Sequence, residues 1–329
     1  MTNQAKPSID QLLGLARVVS LPLKVQFRGV THREAVLFEG PLGWTEWSPF
    51  LEYRDEEAAE WLRAAIEFGW VEPPKALRSF IEVNATLPAV APGQVEKVLN
   101  DFGVFKTVKI KVAESGQTIA DDIARVLRVR ELYPTVAIRL DANGNFSVEQ
   151  AIELAKELAI ADISIEYFEQ PVKTIAELAE VRIKLARIGV RVAADESVRK
   201  VSDPMAVVHA GAADVLVIKA QPIGGIRNAL RIDAEANLPI TVSSALETSI
   251  GISMGIQMAA TLPHAEYAAG LGTVALFEDD IAITPLLPKG GGFFLRRAIA
   301  SEEKLERYRA SEERITWWRE RLERCYKLI

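Results

Sequence analysis

Two lysines and three acids recur at a nearly constant interval along this chain of 329 residues. They are Lys111, Asp141, Glu169, Asp195 and Lys219, and each follows a short apolar run. Their intervals of 24 to 30 residues suit one strand, one helix and two short loops. In a parallel barrel the ends of such strands meet at one face, where barrel enzymes keep their chemistry. We therefore expect these five side chains to form one site.

The three acids predict a metal site. Asp141, Glu169 and Asp195 offer oxygen ligands only, because the three histidines and the single cysteine are far from them in sequence. Carboxylate oxygens suit Mg²⁺ first, with Mn²⁺ possible. The ordinary alternative is that each acid is a helix N-cap or a loop charge, but the regular series argues against it.

The two lysines predict acid/base chemistry. Lys111 and Lys219 would flank the acids on opposite sides. A lysine with its ordinary pKa of ~10.4 is a poor base at neutral pH. Burial beside a divalent cation lowers such a pKa toward the ~7–8 that is useful in catalysis. The pair suits removal of a proton next to a carboxylate, with a metal stabilising the enediolate. Lys109 is expected to position a substrate or to be a solvated charge.

Several further residues are candidate substrate contacts. Gly224 and Gly225 open a predicted helix whose N–H groups could bind an anion, although a plain turn is an equal alternative. Ser243 and Ser244 end the predicted seventh strand, and a Gly-Leu-Gly-Thr run at 270–273 ends the eighth. Either could contact a substrate carboxylate or ring.

The elements that would position these residues repeat as strand and helix. Four predicted strands end at or beside Asp141, Glu169, Asp195 and Lys219; the others span 79–86, 106–112, 240–244 and 266–270. The predicted helices span 92–102, 118–132, 175–188, 203–210 and 249–262, and two more begin at Ser147 and Gly225. This alternation predicts an α/β fold with a TIM-like (β/α) barrel over residues 78–275.

The two ends of the chain lie outside the repeat. Residues 1–77 predict a reduced capping domain with a helix at 8–15, a strand pair over 21–38, a Trp-rich loop at 43–50 and a helix at 55–68. Residues 276–329 predict a tail with one charged helix from Ser301, packed on the cap and the barrel. The ends together would form a small α+β capping domain. Trp44, Trp47 and Phe50 would either cover the barrel mouth above an apolar ring substrate or only pack the cap.

Composition limits the partners. The net charge of −6 argues against nucleic acid, and no apolar stretch reaches the ~18 residues of a membrane span. The expected partner is a small-molecule carboxylate substrate, and no obligate protein partner is indicated. A single cysteine and the lack of an apolar N-terminal segment predict a cytoplasmic protein.

Five motifs occur in the order that characterises a known family. They are Lys-Ile-Lys at 109–111, Asp-Ala-Asn at 141–143, Glu-Gln-Pro at 169–171, Asp-Glu-Ser at 195–197 and Val-Ile-Lys at 217–219. The chain resembles the enolase superfamily over roughly residues 78–272. Within it the chain is similar to the muconate-lactonizing-enzyme subgroup, which pairs two lysines across the barrel. The N-terminal region is shorter than is usual for the family's capping domains.

The resemblance implies roles for these residues. Asp141, Glu169 and Asp195 would bind Mg²⁺. Lys111 would remove the α-proton and then help the hydroxyl leave, and Lys219 would stabilise the enediolate as a cation over its π-face.

Asn143 and Glu196 would contact the metal ligands rather than the metal.

The implied reaction is syn elimination of water from a hydroxycyclohexadiene carboxylate of menaquinone biosynthesis. Racemisation of N-acylamino acids, epimerisation of dipeptides and cycloisomerisation of muconates use the same parts. A dipeptide epimerase would carry an Asp-x-Asp after the eighth strand, which is absent here. A non-catalytic metal-binding scaffold would have no need of the five residues.

Overall fold

The N-terminal region forms a cap of one sheet and two helices. The computed structural model describes residues 6–27, 29–199 and 203–329. The cap elements are α1 (Ile9–Leu15), β1 (Arg17–Phe27), β2 (Val30–Gly40), β3 (Gly43–Trp47) and α2 (Asp55–Trp70). The three strands are antiparallel and pair in sequence order. The predicted strand pair also covers Arg28, which lies outside the described residues.

The Trp-rich segment is not the loop that the sequence predicts. Its first half is β3, which pairs with β2 and packs under α2. Large aromatic residues favour strands where one face is covered, and here Trp44 and Trp47 are both buried.

A parallel barrel follows the cap. The strands of this region are β4 (Phe80–Glu82), β5 (Ala85–Leu87), β6 (Thr107–Lys111), β7 (Ala137–Asp141), β8 (Tyr167–Glu169), β9 (Val192–Ala194), β10 (Val215–Lys219) and β11 (Ile240–Ser243). From β5 to β11 each strand pairs in parallel with the next along the chain. The prediction of a TIM-like barrel with an α+β cap is therefore confirmed; the division at residues 77/78 and 275/276 stays a prediction.

The barrel closes through an irregular segment. The predicted eighth strand forms single bridges instead: Ala265 and Gly270 pair with the two ends of β11, and Ala269 pairs with Val83. A side chain on Gly270 would place its Cβ 2.7 Å from the Ser243 hydroxyl. Such a close backbone approach needs glycine and interrupts a regular ladder.

The predicted first strand is also divided. β4 leaves the barrel to pair with β12 (Gly292–Phe294) in an antiparallel ribbon, and β5 alone joins β6. Between them lies buried Asn84, whose amide oxygen accepts a hydrogen bond from Arg139 inside the barrel at 3.0 Å.

The barrel helices follow the predicted order with differences in their ends, but a short helix directly after Asp195 was not predicted. They are α3 (Val95–Asn100), α4 (Ile119–Leu132), α5 (Val148–Ile160), α6 (Ile175–Ala186), α7 (Glu196–Arg199), α8 (Ala206–His209), α9 (Ile226–Ala236) and α10 (Ser249–Thr261). A 3₁₀ turn at Pro92–Gln94 precedes α3. Ser147 caps α5 and Gln150 bonds back to it, as predicted.

The tail contains two helices where the sequence predicts one. They are α11 (Glu302–Arg307) and α12 (Glu312–Tyr326). The break arises because the chain between them pairs with β1: the Ser20 amide donates to the Tyr308 carbonyl at 2.8 Å, and the Ala310 amide donates to the Val18 carbonyl at 3.0 Å. A strand-like pairing and a continuous helix cannot use the same backbone groups.

The cap has an apolar core built from both ends of the chain. α12 packs on α2, and the rings of Trp47 and Trp318 meet edge to face with centroids 5.2 Å apart. Trp47 is fully buried and its indole N–H donates to the Ala58 carbonyl at 2.9 Å. In the described part of the chain, no helix has the length and apolar character that a membrane span requires.

We predict that Trp47→Ala lowers the free energy of unfolding by about 3–5 kcal/mol, since it opens a cavity in the cap core. The half-buried Trp317 is the matched control, and Trp317→Ala should cost much less. Chemical denaturation measures both. A rise in KM with no loss of stability would favour the mouth-covering role of Trp47 instead.

Candidate active site

All five recurring residues lie together at the C-terminal end of the barrel. Lys111, Asp141 and Glu169 end β6, β7 and β8 and are directly in register. Asp195 follows β9 by one residue, and Lys219 ends β10. Each of the five is at most 8% exposed. The parallel register therefore produces the juxtaposition that the sequence intervals predict.

The lysines pair with the acids beside them. Lys111 Nζ lies 2.6 Å from Asp141 Oδ2 and 2.6 Å from Asn143 Oδ1. On the other side Lys219 Nζ donates to Asp195 Oδ2. Both lysines line one cavity, so a substrate bound there would lie between two amino groups.

Lys109 contacts two of the three carboxylates. Its Nζ lies 2.9 Å from Glu169 Oε2 and 3.1 Å from Asp141 Oδ2. Burial alone would lower the pKa of Lys109, but the carboxylates of Glu169 and Asp141 outweigh it and raise the pKa above its ordinary value. Lys109 is therefore a buried, ion-paired side chain rather than a solvated charge.

Neighbouring carboxylates in the site are shifted in opposite directions. Burial would raise the pKa of Asp141, but Lys111 and Lys109 outweigh that effect and lower it. Burial and the adjacent Asp141 raise the pKa of Glu169. Buried acids at or beside the ends of adjacent strands repel one another, so the site needs positive charge to keep them ionised.

The donor set fits a hard divalent cation. Within the described ranges, no three or more His, Cys, Asp or Glu side chains stand close enough together to hold a metal as arranged. The Lys109 ammonium lies between Asp141 and Glu169 instead, where it contacts both carboxylates. Three buried carboxylates on adjacent strands supply the oxygen ligands that Mg²⁺ prefers. Their assignment as metal ligands stays a prediction.

Polar residues next to the acids fix their orientation. Asn143 bridges the loops, since its Nδ2 donates to Glu196 Oε1 at 3.2 Å and its backbone amide donates to Asp141 Oδ1 at 3.2 Å. Gln170 is fully buried, and its Oε1 accepts from the backbone amides of Asp195 and Ser197 at 3.0 and 3.1 Å. No role for Gln170 is predicted from the sequence, because its two backbone partners lie 25 and 27 residues further along the chain.

The pocket wall includes both predicted and missed residues. Ser243 and Ser244 line the cavity as predicted, and the Ser244 hydroxyl lies 2.8 Å from that of Thr273. Thr86 and Ala245 also line it, and no sequence pattern pointed to either. Phe50 is the only one of the three candidate cap aromatics found in this lining, within the described residues.

The prediction for Gly225 is wrong. The start of α9 is already occupied, because Glu67 of α2 accepts hydrogen bonds from the Ile226 and Arg227 amides at 2.9 and 3.2 Å. A Cβ on Gly225 would lie 2.9 Å from the Glu67 carboxyl group. Gly225 thus lets the cap helix approach the barrel rather than binding a substrate.

A second cleft leads from the cavity to the surface. It shares Lys111 and Asn143 with the cavity and runs between the loops after β5 and β6 and the tip of the β1–β2 hairpin. Val25, Gln26 and Gly29 line it from the hairpin side. The cap therefore reaches the barrel mouth.

Comparison with known proteins places this architecture in a family. The model for "Enolase C-terminal domain-like" matches residues 92–298, and that for "Enolase N-terminal domain-like" matches residues 18–69. An o-succinylbenzoate synthase of Mycobacterium marinum is 47% identical over 322 residues, covering 98% of this chain and 96% of the relative.

Two solved structures share the fold at low identity. The L-Ala-D/L-Glu epimerase of Bacillus subtilis has a TM-score of 0.74 and 23% identity, covering 87% of this chain and 96% of the epimerase. A muconate lactonizing enzyme has a TM-score of 0.73 and 19% identity, covering 90% of this chain and 98% of that enzyme. The chain belongs to the enolase superfamily and, within it, to the o-succinylbenzoate synthase family.

Proposed function

We propose that this protein is a carbon–oxygen lyase that uses Mg²⁺ to dehydrate 2-succinyl-6-hydroxy-2,4-cyclohexadiene-1-carboxylate. The product would be o-succinylbenzoate, an intermediate of menaquinone biosynthesis. The observation that carries the proposal is the pair of buried lysines that line one cavity, each ion-paired with a carboxylate of the same lining, Lys111 with Asp141 and Lys219 with Asp195. Membership of a family whose relatives carry that name supports the substrate.

The chain's own residues would perform the proton transfers. Lys111, as the neutral amine, would take the proton from the carbon next to the substrate carboxylate. The same amino group would then return that proton to the departing hydroxyl group, so that the C–O bond breaks, water leaves and the ring becomes aromatic. Lys219 would keep its charge and stabilise the negative charge that develops on the substrate.

Mg²⁺ held by Asp141, Glu169 and Asp195 would act as a Lewis acid toward the substrate carboxylate. Lys109 would remain protonated and offset the charge of the acids. Gln170 and Asn143 would hold two of the three acids in place through the hydrogen bonds described above.

Racemisation is the second candidate, because both lysines line the same cavity. A racemase needs a base on each face of the substrate, whereas dehydration needs one.

For location we propose the cytoplasm: the single cysteine, Cys325, is buried and free, which suits a reducing compartment.

Activity should require a divalent metal. Exhaustive EDTA treatment should abolish turnover, with Mg²⁺ restoring it and Mn²⁺ restoring it in part. Asp141→Ala, Glu169→Ala and Asp195→Ala should each lower kcat by about 10²-fold or more, because several kcal/mol of charge stabilisation are lost.

Asp162→Asn is the control for these variants, since Asp162 is exposed in the turn before β8. Circular dichroism checks that each variant is folded. Full turnover after chelation would contradict the metal assignment.

The two lysines should differ in their effects. Lys111→Ala should stop α-proton exchange and cost more than the ~10²–10⁴ of an ordinary general acid/base, because the neighbouring Lys109 is ion-paired with two carboxylates that raise its pKa. Lys219→Arg should retain part of the dehydration, since the positive charge remains. Turnover assays and NMR in D₂O measure both.

Lys106→Ala is the matched control, because Lys106 precedes β6 and its side chain is 80% exposed. N-acylamino acid enantiomers in D₂O decide between the two functions. If both enantiomers exchange at equal, high rates and the cyclohexadiene acid is not turned over, the racemase replaces the synthase.

Gln170→Leu should weaken metal-dependent activity. The change leaves the Asp195 and Ser197 amides without their acceptor, so Asp195 loses its fixed position. We expect the Mg²⁺ concentration for half-maximal activity to rise about 10–100-fold, measured by titrating Mg²⁺ into metal-free enzyme.

Gln257→Leu is the control, since that amide also bonds to backbone but lies on α10 beside Pro74. An unchanged Mg²⁺ dependence in Gln170→Leu would show that Gln170 does not position Asp195.

A further inference from the structure

A buried carboxylate from the cap enters the barrel at the start of α10. Glu46 of β3 is fully buried. Its Oε2 accepts from the Thr248 hydroxyl at 2.6 Å, the Thr248 amide at 3.2 Å and the Gly251 amide at 3.0 Å. Its Oε1 accepts from the Ser48 hydroxyl at 2.6 Å. A cap residue therefore satisfies N–H groups that the first turn of a barrel helix leaves open.

Arg33 makes a second bridge from the cap to the same loop. This arginine of β2 is 2% exposed. Its guanidinium donates to the carbonyls of Leu246 and Ala245 at 3.1 and 3.3 Å, and also to the carbonyl of Ser48. The same group lies 4.3 Å from the centre of the Phe50 ring.

The loop that these two residues hold is strained. Leu246 has a φ of +63° and is 1% exposed. A branched side chain rarely adopts that backbone region. Such a conformation persists only where the surroundings enforce it, and here the enforcing groups come from the cap.

Gly251 of α10 leaves room for the carboxyl group of Glu46. A Cβ on Gly251 would lie 3.0 Å from the Glu46 carboxyl carbon and 2.6 Å from Glu247 Cβ, so only glycine fits. Burial and the nearby Glu247 raise the pKa of Glu46 to about 7. An ionisable group held at that cost is poorly explained as a simple helix cap, for which an exposed Ser or Thr suffices.

The loop and its neighbours form part of the active-site wall. Ala245 and Phe50 both line the cavity that contains Lys111 and Lys219. Phe50 belongs to the cap and Ala245 to the barrel. The hydrogen bonds of Arg33 and Glu46 hold these two segments together across the boundary between cap and barrel. A shift of the cap would therefore move both parts of this wall relative to the lysines.

We propose that Glu46 is a positioning residue: with Arg33 it clamps the cap to the strained loop at 245–248, so that Phe50 and Ala245 form one fixed wall of the substrate pocket. The inference rests on the proposed function in so far as that wall contacts the substrate. The hydrogen bonds that Glu46 and Arg33 make to this loop do not depend on bound substrate.

The test compares Glu46→Ala, Glu46→Gln and Glu39→Gln with the wild type. Glu39 is the matched control, because it is exposed on the adjacent strand and pairs with Trp44 rather than with the barrel. Hydrogen exchange of peptides spanning 245–252 is measured without substrate, and kcat and KM are measured with the cyclohexadiene acid.

We expect a graded result. Glu46→Ala should speed exchange at the Thr248 and Gly251 amides and raise KM about tenfold, with a smaller change in kcat, because the pocket wall is misplaced. Glu46→Gln keeps an acceptor oxygen but loses the charge-assisted bonds, so KM should rise only about threefold. Glu39→Gln should match the wild type in both measurements.

A purely structural role makes a different prediction. In that case Glu46→Ala lowers the melting temperature but leaves KM, kcat and amide exchange of the folded enzyme unchanged, and the inference is wrong. If Glu46→Ala does not fold, Glu46→Gln decides, and identity with the wild type overturns the proposal. Wild-type enzyme that fails to turn over the cyclohexadiene acid contradicts the proposed function alone, because the exchange measurement needs no substrate.

Discussion

The need to neutralise three buried carboxylates is the constraint on which the rest of the structure depends. Asp141, Glu169 and Asp195 are nearly inaccessible to water. Burying an isolated carboxylate costs more free energy than the packing of its side chain contributes. Cations must therefore lie in the same small space. The parallel register supplies Lys111, because it places this lysine beside Asp141 and Asp141 beside Glu169. Lys219 ends β10 and reaches Asp195 through its side chain. The regular spacing of lysines and acids in the sequence thus reflects the need to balance their charges in one site.

The features that could be predicted from the sequence are local or repeat along the chain. A charged residue directly after an apolar run, as at Lys219, marks a strand end, and the same mark repeated gives the barrel and most of its site. The Ser147 and Gln150 capping box is likewise contained within four residues. Both depend on neighbours in sequence, so no knowledge of distant contacts is required.

The features that the sequence could not predict depend on residues far apart in the chain. The start of α9 is filled by Glu67, which lies 159 residues before Ile226. β3 becomes a strand only because β2 and α2 cover the Trp-rich segment. The role of Gln170 follows from a partner loop rather than from its own motif. In each case the deciding contact is tertiary, which overrides local preference.

The construction of the cap from both ends of the chain affects how the protein is made. The last helix, α12, covers α2, and Trp318 completes the core around Trp47. A ribosome releases the N-terminal sheet long before it synthesises this helix. Until α12 emerges, the nascent chain carries an uncovered aromatic surface next to a barrel that is already able to assemble. Completion of the cap therefore follows synthesis of the whole barrel, and a chain truncated before α12 would expose that surface to chaperones and to aggregation.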